Sequence, residues 1–404
     1  MCIVCGGSIC YGTGLCQQAV SQPIVYTTYN HIYPFLILAF STITGFFVKF
    51  KQSIKQKISH KFKKGLTGKL PQILILFIGI LIIVTLFYIS MSPKGANTLD
   101  EIQIIQESPY KPNIIIILSD ALRADHLGIY GYPYNTSPNI DNFAKDATLF
   151  KNAYSQAPWT VNSVATLFSS LYPTTHLVSV AGGLNNRTNT FLILGNLESK
   201  DVKIMPEVLK SNGYFTIGIM GNPWLFEELF NTGFSVYKKT DSFEINSSTI
   251  TKESIFALEN HKDKRPLFLY VHYMDPHAPY VPSEEFDIFN HTQYTDKYIE
   301  EDFNINKYDG EILETDAAIQ ELLEYLKENN LYDNSLILFI ADHGEQFGEY
   351  GKYEHGNTVR EVETHVPFIL KLPKNSKYKL NKIEEKPVGL IDIYPTILDL
   401  LEIK

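Results

Sequence analysis

Residues 112–132 read PNIIIILSDALRADHLGIYGY. From Ile114 to Leu118 the apolar run is unbroken, and it ends at Ser119 and Asp120. A half-buried strand alternates apolar with polar residues. An unbroken run of strand length marks a strand covered on both faces, as in a parallel sheet between helices. Three further runs repeat the pattern: FTIGIMG at 215–221, PLFLYVHY at 266–273 and SLILFIADHG at 335–344. Helical spacing appears in PNIDNFAKDA (138–147), MPEVLKSNG (205–213), DGEILETDAAIQELLEYLKENN (309–330) and LIDIYPTILDLLEI (390–403). The alternation predicts an α/β fold, a central mostly parallel or mixed sheet flanked by helices. Ligands of such sheets bind at the C-terminal ends of the strands.

The 404-residue chain is 45% hydrophobic and 20% charged, enough for one large core or two smaller ones. Its charge is unevenly spread. Residues 1–112 hold ten Lys and three acids, a net of +7, whereas the whole chain carries −9, leaving −16 for residues 113–404. So acidic a main domain argues against nucleic acid as a partner, because phosphate contacts draw on Lys and Arg.

Residues 73–91, ILILFIGILIIVTLFYISM, are uncharged. As a helix they extend about 28 Å, close to the hydrocarbon thickness of a bilayer. A transmembrane helix is expected there. A second is expected at 32–48, IYPFLILAFSTITGFFV, with an interfacial or buried helix as the alternative. The stretch between them, KFKQSIKQKISHKFKKGLTGK, has eight Lys and no acid, which places it in the cytoplasm. The expected order is a Cys-containing segment of no assigned role at 1–31, a membrane hairpin at 32–91, a polar linker at 92–111 and a catalytic domain at 112–404. The protein would sit in the cell membrane as a multi-pass protein, with that domain on the extracytoplasmic side. All four Cys lie at 2, 5, 10 and 16, a spacing open to a metal knuckle but without a His nearby. The main domain has no Cys, so it has neither a disulfide nor a thiol nucleophile.

Chemistry-bearing side chains gather at the ends of the runs. Asp120 closes the first; His272, Asp275 and His277 close PLFLYVHYMDPHAPY; Asp342 and His343 close the fourth; His355 follows in KYEHGN. Each alone is weak, since an acid after a strand is often a cap and a lone His is more often structural. Together they would supply carboxylate and imidazole ligands for a divalent metal, with His shifting the preference from Ca²⁺ toward Zn²⁺ or Mn²⁺. In NAYSQAPWTVNSVATLFSSLYPTTH (152–176), Val161, Ala165, Phe168 and Leu171 fall on one face of a helix that opens near Thr160 and Ser163. A helix cap is the plain reading of that hydroxyl pair. A nucleophile in the field of the helix N-terminus is the alternative.

These motifs, with ADHGEQFGEYG, HGNTVREVETHVPFILKLP and LIDIYPTILDLL in the same order, resemble the sulfatase branch of the alkaline-phosphatase superfamily over residues 112 to about 402. The resemblance implies that fold and one divalent metal ion, Mn²⁺ or Zn²⁺ favoured, with Ca²⁺ and Mg²⁺ as alternatives. It implies metal ligands Asp120, Asp342, His343 and Thr160, with Thr160 as nucleophile. It places His277 near the substrate, and His355 where a Lys or His binds the transferred group. Asn222 joins His277 and His355 as a substrate-binding candidate; His277 and His355 are also candidates for the leaving-group acid.

The departures narrow the chemistry. Dedicated sulfatases carry a Cys or Ser at the Thr160 position and oxidise it to formylglycine, which Thr cannot become because its β-carbon bears a methyl. Val164 stands where the sulfatase signature has Arg, Ala121 replaces the second acid of an Asp-Asp pair, and Asn222-Pro223-Trp224 replaces a Lys-x-His stretch. A single early acid with a Thr nucleophile resembles the membrane-anchored phosphotransferase members. The expected function is a metal-dependent hydrolase or transferase acting on phosphate esters of a surface lipid or glycan. A sulfuric ester hydrolase and a catalytically degenerate, membrane-tethered binding protein are the alternatives. His272 is expected to be structural, as are Arg123, Asp125 and His126, and Glu345 to orient His343. The family continues past the last helix into a small sheet subdomain. Ending at Lys404 implies either an open pocket or a truncated chain.

Overall fold

The computed structural model describes residues 111–181, 191–199, 201–242, 245–291 and 304–403. The expected Cys segment, the membrane hairpin at 32–91 and all but the last residue of the linker lie outside the described residues. Among the described residues no helix is long and apolar enough to cross a membrane.

The opening run forms β1 (Asn113–Ser119) at the middle of an eight-stranded sheet. The other strands are β2 (Thr148–Phe150), β3 (Phe215–Met220), β4 (Val236–Lys239), β5 (Leu267–Tyr273), β6 (Ser335–Ala341), β7 (Phe368–Lys371) and β8 (Ile383–Glu384). Their spatial order is β8-β2-β7-β6-β1-β5-β3-β4. The block from β6 through β1, β5 and β3 to β4 is parallel, whereas β7 runs antiparallel to both β6 and β2. The sheet is therefore mixed, and mostly parallel. All four predicted runs are among its inner strands. Ile114 to Leu118 are buried whichever way they point, so both faces of the sheet are covered, and the unbroken apolar run follows from that.

Six helices do most of the covering: α1 (Pro138–Phe143), α2 (Thr160–Ser169), α3 (Met205–Ser211), α4 (Ser247–Glu259), α5 (Ile305–Glu328) and α6 (Ile393–Leu400). One group packs α1 and α4 against α5; the other packs α3 and α6 against α2. In α2 the predicted face holds for Val161, Ala165 and Phe168, all buried. Leu171 falls beyond the end of the helix, because Ser170 takes a left-handed φ of 56° and stops it. The cap reading of Thr160 does not hold. Trp159 is the N-cap residue with no side-chain cap bond, and Thr160 is the first helical residue.

The site lies where parallel β1, β5 and β6 end side by side. The register pairs Ser119 with Tyr273 on one side and with Ala341 on the other, so the residues just beyond all three strands meet at one level.

Candidate metal and nucleophile site

Asp120, the residue after β1, and Asp342 and His343, the residues after β6, each offer a ligand atom within 4.8 Å of the others. All three are fully buried. Ala121 follows Asp120 with a φ of 53°, uncommon for a residue with a side chain. Its N–H donates to Asp342 Oδ1 at 3.3 Å, and His343 N donates to the same oxygen at 3.0 Å. The other oxygen, Asp342 Oδ2, is buried and receives no hydrogen bond from the described residues. An orphaned carboxylate oxygen in a dry site is costly unless a cation meets it. His343 Nδ1 donates to the Gly344 carbonyl at 2.9 Å, which fixes the tautomer and leaves Nε2 as the ligand atom. A donor set of two carboxylates, an imidazole and a hydroxyl fits a divalent metal.

The charges point the same way. Burial alone would raise Asp120, but hydrogen bonds from His272 and His343 outweigh it and hold the carboxyl well below its ordinary value. Asp342 is raised by burial and by the Asp120 charge. Burial works against a charge on His343, yet Asp342 and Asp120 overcome it and push His343 up to about 10. The pair of carboxylates thus draws positive charge into the site, whether as a proton or as a metal ion.

Thr160 comes to the same point from α2. Its Oγ1 lies 3.4 and 3.3 Å from the two Asp120 oxygens and 3.3 Å from His343 Nε2. Ser163, one turn on, does not join the ligands. Its hydroxyl donates to the Asp342 carbonyl at 2.7 Å and meets Ser155 Oγ at 2.9 Å, so it ties α2 to the strand end that carries the ligands. Asn222, just past the end of β3, is buried. Its Nδ2 donates to Asp120 Oδ2 and, at 3.3 Å, to Thr160 Oγ1, while its Oδ1 accepts from Trp224 N at 2.8 Å. The Asn222 amide therefore holds the hydroxyl and the carboxylate in place.

Two more histidines adjoin. The ring of His355 sits 4.2 Å from that of His343 and 4.8 Å from that of His277. His277 Nδ1 donates to the Ala278 carbonyl at 2.6 Å, and burial pushes this imidazole down despite the Asp120 charge. The expected link from Glu345 to His343 is corrected by the geometry. Glu345 accepts from His355 Nδ1 at 3.1 Å and from the Tyr280 hydroxyl at 2.9 Å. The carbonyl of Gly344, not a carboxylate, fixes His343. Burial works against the Glu345 charge, but His355 outweighs it and keeps the carboxyl below its ordinary value.

His272, expected to be structural, also touches the site: its Nε2 lies 2.9 Å from Asp120 Oδ2. Facing away from Tyr273 does not place it away from the ligands, because both faces of this strand are buried. The register sets Leu118 opposite His272, a pairing that neither strand's sequence signals alone. Arg123, Asp125 and His126 tie the chain after β1 to its surroundings, the loop-fixing role expected of them. Arg123 pairs with Asp125 and Glu349, and His126 with Asp309 at 2.7 Å.

The family model for sulfatases matches residues 112–403. The chain belongs to the sulfatase family. Among its relatives, an ulvan-active sulfatase of Formosa agariphila is 28% identical over 74% of this chain and 63% of its own length. The phosphatidylethanolamine transferase Mcr-1 of Escherichia coli is 27% identical over 64% of this chain and 47% of its own. The matched region thus spans about half to two thirds of each of these curated relatives. The zinc complex of the periplasmic domain of EcEptC from Escherichia coli superposes with a TM-score of 0.58 at 18% identity, covering 73% of this chain and 83% of that one. That last likeness is one of fold. Within this sulfatase-family domain Val164, at the signature's Arg position, is fully buried in the core.

Proposed function

We propose that this sulfatase-family protein is a divalent-metal-dependent enzyme acting on phosphate esters of a surface lipid or glycan through a covalent Thr160 intermediate. The observation that carries this reading is Thr160 Oγ1 at 3.3–3.4 Å from Asp120 and His343, beside the orphaned oxygen of Asp342. A bound metal ion, held by Asp120, Asp342, His343 and Thr160, would supply Lewis acidity and make a hydroxyl react as an alkoxide near neutral pH. Mn²⁺ or Zn²⁺ suits the mixed oxygen and nitrogen donors, and the fold relative crystallised with Zn supports that choice.

Thr160 releases its hydroxyl proton to solvent water and its Oγ1 attacks phosphorus in line, while the bond from phosphorus to the leaving alcohol breaks. Asn222 holds Oγ1 at the attack position. His355, backed by the Glu345 carboxylate, gives the departing oxygen its proton in this reading. His277, driven toward its neutral form by burial, is suited to take a proton from the second acceptor. That acceptor, a water or a glycan or lipid hydroxyl, attacks the phosphothreonine and regenerates Thr160. The 32–91 hairpin would anchor this domain on the outer face of the cell membrane.

Sulfate-ester hydrolysis is the second reading, and the sulfatase relative favours it. The unmodified Thr160 and the buried Val164 count against it. The test is to assay the full-length protein, loaded with Mn²⁺ or Zn²⁺, on aryl phosphodiester, phosphomonoester and sulfate substrates side by side. Thr160→Ala is the control in each. Phosphoester cleavage lost in the variant is the expected result. Turnover of sulfate alone overturns the proposal.

A further inference from the structure

We propose that Tyr270 and His272 form a positioning pair that makes Asp120 a one-oxygen ligand and thereby sets how tightly the site holds its cation. This inference rests on the metal-dependent reading above.

The pair is built into the sheet. Tyr270 and His272 are two residues apart on β5, so their side chains share a face. β5 lies beside β1, with Leu118 opposite His272, and Asp120 N donates to the Tyr273 carbonyl at 3.0 Å. His272 is fully buried. Its Nε2 meets Asp120 Oδ2 at 2.9 Å, and its Nδ1 meets the Tyr270 hydroxyl at 2.9 Å. An ionised carboxylate only accepts, so Nε2 carries the hydrogen. Nδ1 is then the acceptor and Tyr270 the donor. The hydroxyl thus locks one tautomer of the ring, and the ring in turn locks one oxygen of the carboxylate.

Asp120 Oδ2 also accepts from Asn222 Nδ2, so this oxygen already has two donors. A carboxylate without such partners presents either oxygen, or both, to a cation. With Oδ2 engaged, Asp120 offers Oδ1, the oxygen that lies 3.3 Å from His343 Nε2. Partners of this kind typically change metal affinity by about 10- to 100-fold when removed. Were His272 only filling the core, its loss would lower stability and leave the affinity of the folded protein unchanged.

The experiment strips the full-length protein with a chelator and titrates it with Zn²⁺ against a chromophoric competitor. His272→Ala is expected to bind about 10- to 100-fold more weakly than wild type, and Tyr270→Phe less weakly than that. His272→Gln keeps an N–H for Asp120 and is expected to recover most of the loss. Circular dichroism of the metal-free proteins shows which variants are folded. Tyr270→Phe keeps the core filled and serves if His272→Ala does not fold. Long-range ¹H–¹⁵N spectra of the metal-free wild type are expected to show His272 protonated at Nε2. Wild-type affinity in every folded variant, no recovery in His272→Gln, or a proton on Nδ1 overturns the inference alone. A wild-type protein that binds no Zn²⁺ overturns the metal reading and this inference with it.

Discussion

Glu345→Gln separates the proposed leaving-group acid from the rest of the site. The Glu345 carboxylate is fully buried and accepts two hydrogen bonds, from His355 Nδ1 at 3.1 Å and from the Tyr280 hydroxyl at 2.9 Å. Gln has the same shape, so the packing is kept, but it brings no charge. Its amide must also turn an NH₂ group toward one of the two partners. A hydrogen bond to a charged group contributes about 1.5–3 kcal/mol. Its loss falls on the state in which His355 holds the proton it delivers, and at about 1.4 kcal/mol per tenfold this is roughly a 10- to 150-fold effect. The assay compares kcat/KM for two phosphodiesters at neutral pH in the metal-loaded protein. An alkyl ester needs its leaving oxygen protonated and is expected to slow by roughly 10- to 150-fold. A nitrophenyl ester departs without a proton and is expected to change by less than about threefold. Equal losses on both esters, or no loss on either, refute the reasoning. The first result would make Glu345 a general support of the site, and the second would leave His355 without an acid role.

Other outcomes follow from the same geometry. Thr160→Ala is expected to lower kcat by at least about 10³-fold with little change in folding, and Thr160→Ser to keep measurable turnover; steady-state kinetics and a thermal melt check both. Chelation is expected to abolish activity, and Zn²⁺ or Mn²⁺ to restore it. Added metal at about 100 times its Kd is expected to raise the unfolding free energy by about 2.7 kcal/mol, read by urea unfolding. Burial raises Asp275 to about 6, against hydrogen bonds from Ser247. A carboxyl raised on folding gives stability that is complete below its unfolded value and is lost as pH climbs through its folded one. The metal-free protein is therefore expected to lose about 3 kcal/mol between pH 4 and pH 6 from this group. Asp275→Asn keeps an acceptor for Ser247 and is expected to flatten that part of a urea-unfolding profile.

Much of the fold is legible because a fully covered strand has a distinctive sequence. Four unbroken apolar runs give four of the five strands in the parallel block, and the acid or His at the end of a run marks the level of the site. β4 escapes notice because VYKK is only half-buried and has no apolar run. α4 is equally hard to see. Its buried face mixes Ser247, Thr251 and Ser254 with Ile250, Ala257 and Leu258, so its periodicity is faint in hydropathy. β7 is short and ends in Lys371, a buried lysine whose ammonium donates to the carbonyls of Tyr332 and Ser335. A charge at a strand end is not an apolar signal. The helix opening at Thr160 is legible, but the conformation at Trp159 that sends the Thr160 side chain to the ligands is not.

The two site residues misjudged from sequence, His272 and Glu345, have separate causes. Pairing between two buried side chains depends on strand register, and register is not written in either strand alone. His272 meets Asp120 because β1 and β5 are parallel neighbours with Leu118 opposite His272. Glu345 reaches His355 rather than His343 because Gly344, between the two, is held by its N–H to the Glu363 carbonyl at 2.8 Å. A Cβ at Gly344 would stand 2.1 Å from the Val362 carbonyl oxygen, so only glycine lets the chain pass there. That close passage sends His343 and Glu345 to different partners. His343 then faces Asp120 and Thr160, and Glu345 faces the His355 ring. Val164 lies in the core and Asn222 turns to Thr160, at the positions where the resemblance led one to expect the signature's Arg and a separate Lys-x-His stretch. In the proposed reading a metal ion, His277 and His355 meet the anionic ester, and how firmly Glu345 supports the His355 ring becomes the property most worth perturbing.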